Sequence, residues 1–180
     1  MTDMQTEKEL RTPITAEDVA GLQVGDRVRI SGIICCGRDA VLPRVQQAVR
    51  EGKLEELGIN LTGAVIFHTA VSPAGVGPTS SNKLEIESSM EPLSEAGVKL
   101  HLGKGQISAA TVAALDRNEA VYAVIPPVTA LLEDRTVSRR LVAFPELGME
   151  AFYELEVRDY PAIIAAAHGI SIYDRQGGGK

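Results

Sequence analysis

Along the chain, apolar positions switch between a two-residue spacing and a three-to-four-residue spacing, which predicts strands alternating with helices. Thr15 with Asp18 three residues on has the form of a capping box and predicts a short helix near 16–22. After a Gly25-Asp26 turn, Arg27, Val28, Arg29 and Ile30 begin a polar–apolar alternation running to Ile34, the mark of a half-buried strand. Asp39 is placed to cap a helix extending to about Glu51, with Pro43 tolerable only near its start. Ala64–Val71 reads as an apolar strand leading into a loop of small residues, SPAGVGPTSSN.

The second half changes period more often. Glu85–Ala96 is helical in part, with Pro92 a break or a first-turn position. Val98–Leu102 is a strand, Ser108 caps a helix over 109–117, and Ala120–Ile125 is a buried strand. Pro126-Pro127 turns the chain into a short helix near 128–134. Tyr153–Val157, Ala162–Ala167 and Ile170–Tyr173 read as strands, the last two joined at His168-Gly169 as a hairpin. This order predicts an α/β domain with a mixed sheet. Its expected limits are 15–174, between a flexible N-terminal tail over 1–14 and a flexible C-terminal tail over 175–180.

With 180 residues, 44% of them hydrophobic, the chain is rich enough in apolar side chains to fold around one core. The net charge of −6, without a basic stripe, argues against nucleic acid as the partner. No apolar run approaches the roughly 20 residues that span a bilayer. The opening MTDMQTEKELRT has no signal-peptide stretch, so a soluble, cytoplasmic protein is expected.

Cys35 and Cys36 are the only cysteines. Neighbours in sequence rarely pair, and two thiolates alone complete neither a zinc ribbon nor an iron–sulfur centre. In a strand they point to opposite faces, which predicts one core thiol and one at the surface or in a site; a structural role for both is favoured, since free Cys behaves as a small buried hydrophobe. A thiol redox role is disfavoured because the C-x-x-C spacing is missing.

Three glycine-flanked turns carry the candidate chemistry. The first holds Arg38, which either forks onto a ligand carboxylate or pairs with its neighbour Asp39 at the surface. The second, Gly75 to Lys83, gathers Thr79, Ser80 and Ser81 beside glycines that let backbone approach an anion; it lacks P-loop spacing and otherwise reads as a plain loop. The third is Gly103-Lys104-Gly105, whose lysine faces either a ligand or solvent. His68 and His101 fall within strands and read as satisfied core or surface histidines, and His168 as a structural turn residue. Cations set in close-approach backbone on an acidic protein point to a small anion as ligand.

The segments ISGIICCGRDAVLPRV, AGVGPTSSNKLE, HLGKGQIS and ELGMEAFYELEVRDYPA, in this order, resemble the class I iron–sulfur fumarase and L(+)-tartrate dehydratase family. The likeness runs from Leu22 to Tyr173 and is to the β subunit, equivalent to the C-terminal domain of single-chain members. It implies a swivelling β/β/α fold and a hydro-lyase acting on short dicarboxylates. It also implies a [4Fe–4S] cluster held by a separate α subunit, no metal site in this chain, and a heterotetramer or homo-oligomer.

Residue by residue, the resemblance implies that Arg38 holds a substrate carboxylate and that Thr79 serves as base or proton shuttle. It further implies that Lys104 steadies developing carboxylate charge, with Lys83 and Ser80 as further substrate contacts. Lys83 stands where the family usually has arginine, and Leu42 where a polar residue or histidine is usual, which leaves tartrate or another hydroxy diacid open beside fumarate and malate. A domain of the same fold that only captures a small anion is the alternative.

Overall fold

The computed structural model describes residues 7–72, 75–79, 83–125 and 129–173. Ten strands and six α-helices alternate through them. The strands are β1 (Lys8–Arg11), β2 (Arg27–Cys36), β3 (Val65–Phe67), β4 (Thr69–Ser72), β5 (Gly75–Thr79), β6 (Leu100–Gly103), β7 (Val121–Val124), β8 (Thr136–Ala143), β9 (Phe152–Ala167) and β10 (Ile170–Ser171). The helices are α1 (Ala16–Ala20), α2 (Leu42–Glu51), α3 (Leu54–Leu57), α4 (Lys83–Glu95), α5 (Ala109–Arg117) and α6 (Thr129–Asp134). No described helix is long and apolar enough to cross a membrane.

The main sheet is mixed, as its sequence pattern predicts. Strands β2, β3, β6 and β7 run parallel in that order, while β9 runs antiparallel to β7 and also to β2. The second pairing of β9 closes the sheet into a ring of five strands. Alternation then sorts side chains inside and out. Ile34, Cys36, Val65, Phe67, Leu100, Leu102, Val121, Leu155 and Ile164 share the interior core. Cys35 and Ile66 point outward and pack with Val45 of α2 and Leu93 of α4, while Tyr122 packs with Met90 and Val112 beneath α4 and α5.

This layering removes the exposed thiol expected from strand alternation and leaves both cysteines buried, as the structural reading expects. They do point to opposite faces, but both faces are covered, so Cys35 is 4% exposed and Cys36 is fully buried. A strand at the surface of a ring would expose one face; one lying under helices exposes neither.

Local chemistry accounts for the helix starts. Thr15 and Asp18 exchange both capping-box bonds, at 3.0 Å each, and Ser108 Oγ accepts from Thr111 N–H at α5. Asp39 is not the N-cap of α2: that position falls at Val41, with Pro43 in the first turn. Pro92 neither breaks nor starts α4: the burial of Met90 and Leu93, both 0% exposed, outweighs the one backbone bond it removes.

Other expectations change. Residues 8–11, placed in the tail, form β1 on the edge of β2, where only Leu10 carries an inward signal. The loop after Val71 contains β5, paired antiparallel with β4. The two strands expected over 153–167 are one 16-residue strand: β2 pairs on both sides of an irregularity at Ile30/Gly32, and Ser31 Oγ accepts from Asp159 N–H across it at 2.9 Å. The His168-Gly169 hairpin turn is as expected, with both residues at positive φ.

Candidate active site

The parallel strands end level with one another. Cys36 is opposite Phe67, and Phe67 opposite Leu102, in the sheet register. Beyond those ends the ladder continues: Gly37 N–H donates to Phe67 O at 3.1 Å, His68 N–H to Leu102 O at 3.0 Å, and Ile125 N–H to Gly103 O at 3.1 Å. Arg38, His68 and Lys104 therefore leave three adjacent strands at one edge. With neighbouring strands about 4.8 Å apart, Arg38 and Lys104 flank a gap about 10 Å wide that their long side chains can span. The carboxyl edge of parallel strands is where open α/β sheets bind ligands.

The Arg38 loop is held tightly. A Cβ on Gly37 would stand 2.7 Å from Val41 Cγ1, so the chain turns close against the start of α2. Arg38 Nε donates to Glu150 Oε1 at 3.3 Å, which orients the guanidinium with a quarter of the side chain exposed. Glu150 ends the 3₁₀ segment Pro145–Glu150, 112 residues away in sequence, and sequence reasoning gave it no role.

The Lys104 turn is tethered from β7. Tyr122 Oη–H donates to Gly105 O at 3.0 Å, and burial pushes the phenol's pKa up, so the hydroxyl stays a donor. Gly103 lies under the same ring, where a Cβ would meet Tyr122 Oη at 3.2 Å, while Gly105 takes φ +81°. Lys104 itself is exposed. No feature of the VYAV strand marks Tyr122 in advance as a loop anchor.

Thr79 reaches this edge through its backbone. β4 starts one residue after His68, and its first residue, Thr69, is the register partner of Thr79 at the end of β5. Lys83 opens α4 four residues after Thr79. The side chains of Thr79 and Lys83, and Ser80 altogether, lie outside the described residues. The fold thus brings together Arg38, Lys104 and the backbone of Thr79.

Under α4, His68 and His101 meet. His68 Nε2 lies 3.0 Å from His101 Nδ1, and His101 Nε2 lies 2.9 Å from Ser94 Oγ. Both rings are completely buried; desolvation lowers the pKa of His68 to about 3 and that of His101 as well, with His68 adding to the second shift. His101 is satisfied at both nitrogens, as expected. His68 is not, because among the described residues its Nδ1 has no partner.

The cysteines do not suit a metal. Burial pushes the Cys35 thiol up to about 12, with Glu154 adding to it, and raises Cys36 too, so both remain thiols facing different cores. Two larger cavities lie away from the site, one of about 480 Å³ along α2 and α3 beside Phe144, the other of about 560 Å³ between β1 and β9.

Fold and edge together place Arg38 and Lys104 on loops at the carboxyl ends of a parallel strand set. The chain belongs to the Fumarase C-terminus family, whose pattern it matches over residues 2–176. It is 29% identical over 175 residues to L(+)-tartrate dehydratase subunit beta of Escherichia coli K12, covering 90% of this chain and 84% of that one. It is 30% identical over 151 residues to the anaerobic class I fumarate hydratase of the same organism, covering 78% of this chain and 27% of that protein. A class I fumarate hydratase-type protein of Geobacillus stearothermophilus is 29% identical over 178 residues, of which this chain spans a third.

Proposed function

We propose that this chain is the β subunit of a hydro-lyase that reversibly adds water to, or removes it from, a short dicarboxylate, fumarate and malate being the pair. The observation that carries the reading is the meeting of Arg38, Lys104 and the Thr79 backbone at one level sheet edge. The names of the relatives support the same reaction class.

In this reading the domain over 15–174 is the swivelling β/β/α part of an α/β assembly, a cytoplasmic heterotetramer or homo-oligomer. Arg38, oriented by Glu150, holds one carboxylate through forked N–H groups. Lys104 faces the carboxylate next to the carbon that loses its proton, where negative charge grows in the transition state. Thr79 Oγ takes that proton in dehydration and returns it in hydration, its own proton loss eased by the cations of Lys104 and Lys83. Ser80 donates to a substrate oxygen. Buried thiols on opposite faces of β2 do not fit a [4Fe–4S] cluster, which this reading gives to the α subunit.

L(+)-tartrate is the second substrate to test, because the chain spans most of the tartrate dehydratase subunit and only part of the single-chain fumarate hydratase. The experiment is anaerobic co-purification with the α subunit, followed by turnover of fumarate, L-malate and L(+)-tartrate. Arg38→Ala and Lys104→Ala should each lower kcat/KM about 100- to 1,000-fold, the usual cost of one charge-stabilising donor, with melting unchanged. An intact, cluster-loaded complex that turns over none of the three overturns the lyase reading and leaves an anion-binding module.

A further inference from the structure

The unpartnered nitrogen of His68 is the one buried polar atom at this edge that the roles above leave unused. His68 is fully buried and sits between the Arg38 and Lys104 loops, one residue before the strand whose first residue pairs with Thr79. A buried polar atom without a partner costs stability, so its persistence at such a position calls for something it binds.

The Ser94–His101–His68 chain offers that atom two states. Both rings are neutral, because burial depresses their pKa values, so each carries one N–H. In one arrangement Ser94 O–H donates to His101 Nε2, His101 Nδ1–H donates to His68 Nε2, and His68 is left with an N–H at Nδ1. In the other, His68 Nε2–H donates to His101 Nδ1 and His101 Nε2–H donates to Ser94 Oγ. That second arrangement leaves two open groups, the Ser94 hydroxyl hydrogen and the His68 Nδ1 lone pair. Among the described residues Ser94 Oγ bonds only His101, and Ser94 is 4% exposed. The first arrangement leaves the Ser94 Oγ lone pairs and the His68 N–H open, so the two are alike in number, and only the first presents a donor to an anion.

We infer that His68 is a further substrate-binding residue, its Nδ1–H donating to an oxygen of the dicarboxylate between Arg38 and Lys104. The inference rests on the diacid reading and adds a third, uncharged donor to it. A neutral N–H suits this position: it contributes direction without adding a third cation to a site that must release its product. His101 and Ser94 act through His68 by fixing its tautomer and ring orientation, and they are positioning residues.

Two substitutions separate the nitrogens. In His68→Gln the side-chain amide reaches the former Nε2 position and keeps a partner for His101, while the Nδ1 donor is lost. In His68→Asn the amide nitrogen replaces Nδ1, while His101 loses its partner. With the α subunit, His68→Gln should raise KM for the diacid about 10- to 100-fold at near-wild-type melting temperature, and His68→Asn should be less stable with KM closer to wild type. A wild-type KM in His68→Gln overturns the inference.

Imidazole ¹⁵N NMR on the full chain alone keeps the test independent of turnover. The expected spectrum shows His68 and His101 both as Nδ1–H tautomers, and an Nε2–H tautomer at His68 overturns the inference. If the wild-type complex turns over no diacid, the lyase reading fails by itself. Titration of that complex with L-malate then decides for His68: a shifted Nδ1–H signal supports binding, and an unmoved one at saturation overturns it.

Discussion

The ring has two unlike halves. On one side, β2, β3, β6 and β7 run parallel, so each passes its next loop to the same edge, and Gly37-Arg38, His68 and Gly103-Lys104 arrive side by side. On the other, β8, β9 and β10 run antiparallel, so successive loops fall at opposite edges and no such gathering occurs. The second half closes the ring: β9 pairs β2 along nearly its whole length and covers the interior with Leu155, Val157, Tyr160 and Ile164. Strand direction thus separates the two halves, with the candidate site residues gathered where ends coincide and long-range pairing where one long strand bridges two edges. The halves touch functionally at Glu150, which leaves the 3₁₀ turn before β9 to orient Arg38.

The sharpest way to break that division is Leu155→Ala. Leu155 is fully buried in the ring interior, on β9 opposite Ile34, and belongs to none of the loops that carry the candidate residues. Its truncation should cost about 2–5 kcal/mol of stability, measured by urea unfolding, through lost burial and a residual cavity. KM of the folded, assembled protein should not move. A large KM change with little loss of stability would show that the antiparallel half shapes the site.

Acid should act on the other half. Both buried imidazoles lie on the outward side of β3 and β6, whereas the third histidine, His168, sits in the surface turn before β10 with Nε2 2.7 Å from Leu22 O. The folded-state pKa of His68 is about 3, below the unfolded value of about 6.5. The unfolded chain therefore binds the extra proton below pH 6.5. The stability this histidine contributes is complete above that pH and is lost as pH falls towards 3. Between pH 7.5 and 5 the loss from His68 alone should be about 2 kcal/mol, since each pKa unit is worth about 1.4 kcal/mol. Urea midpoints for wild type and His68→Gln at both pH values check this. The variant should fall less steeply, and equal slopes would remove His68 from the acid response.

What was legible in the sequence follows the same line between local and distant. Thr15 and Ser108 cap their helices because capping uses groups three residues apart. The Gly37-Arg38 and Gly103-Lys104-Gly105 turns read correctly as strand ends because the signal lies within a few residues, whereas the Gly75 to Lys83 stretch, read as loop, begins with β5. Closure of the ring was not legible, since pairing β2 with β9 joins segments more than a hundred residues apart and leaves no periodic trace. β8 has no counterpart among the expected elements: it lies on an edge, and its burial alternates weakly. The Arg38–Glu150 ion pair and the His68–His101 contact, 112 and 33 residues apart, belong to the same class. The order of four short motifs did carry the family, because each motif is local and only their sequence is long-range.

The smallest expected effect is also the most discriminating, because it falls on a residue that serves both packing and the site. Tyr122 belongs to the parallel half; its ring packs with Met90 and Val112, and its hydroxyl holds Gly105 O at 3.0 Å. Tyr122→Phe keeps the packing and deletes only that bond, at a stability cost of about 1 kcal/mol. The freed Gly103-Lys104-Gly105 turn then samples more conformations, so Lys104 is less often in place when charge develops on the substrate. Transition-state stabilisation should suffer more than ground-state binding, and kcat should fall severalfold while KM stays close to wild type. Steady-state kinetics of the assembled Tyr122→Phe protein gives the answer directly. A change in KM alone would make Lys104 a binding group, and no change in either would free the parallel edge from dependence on its β7 tether.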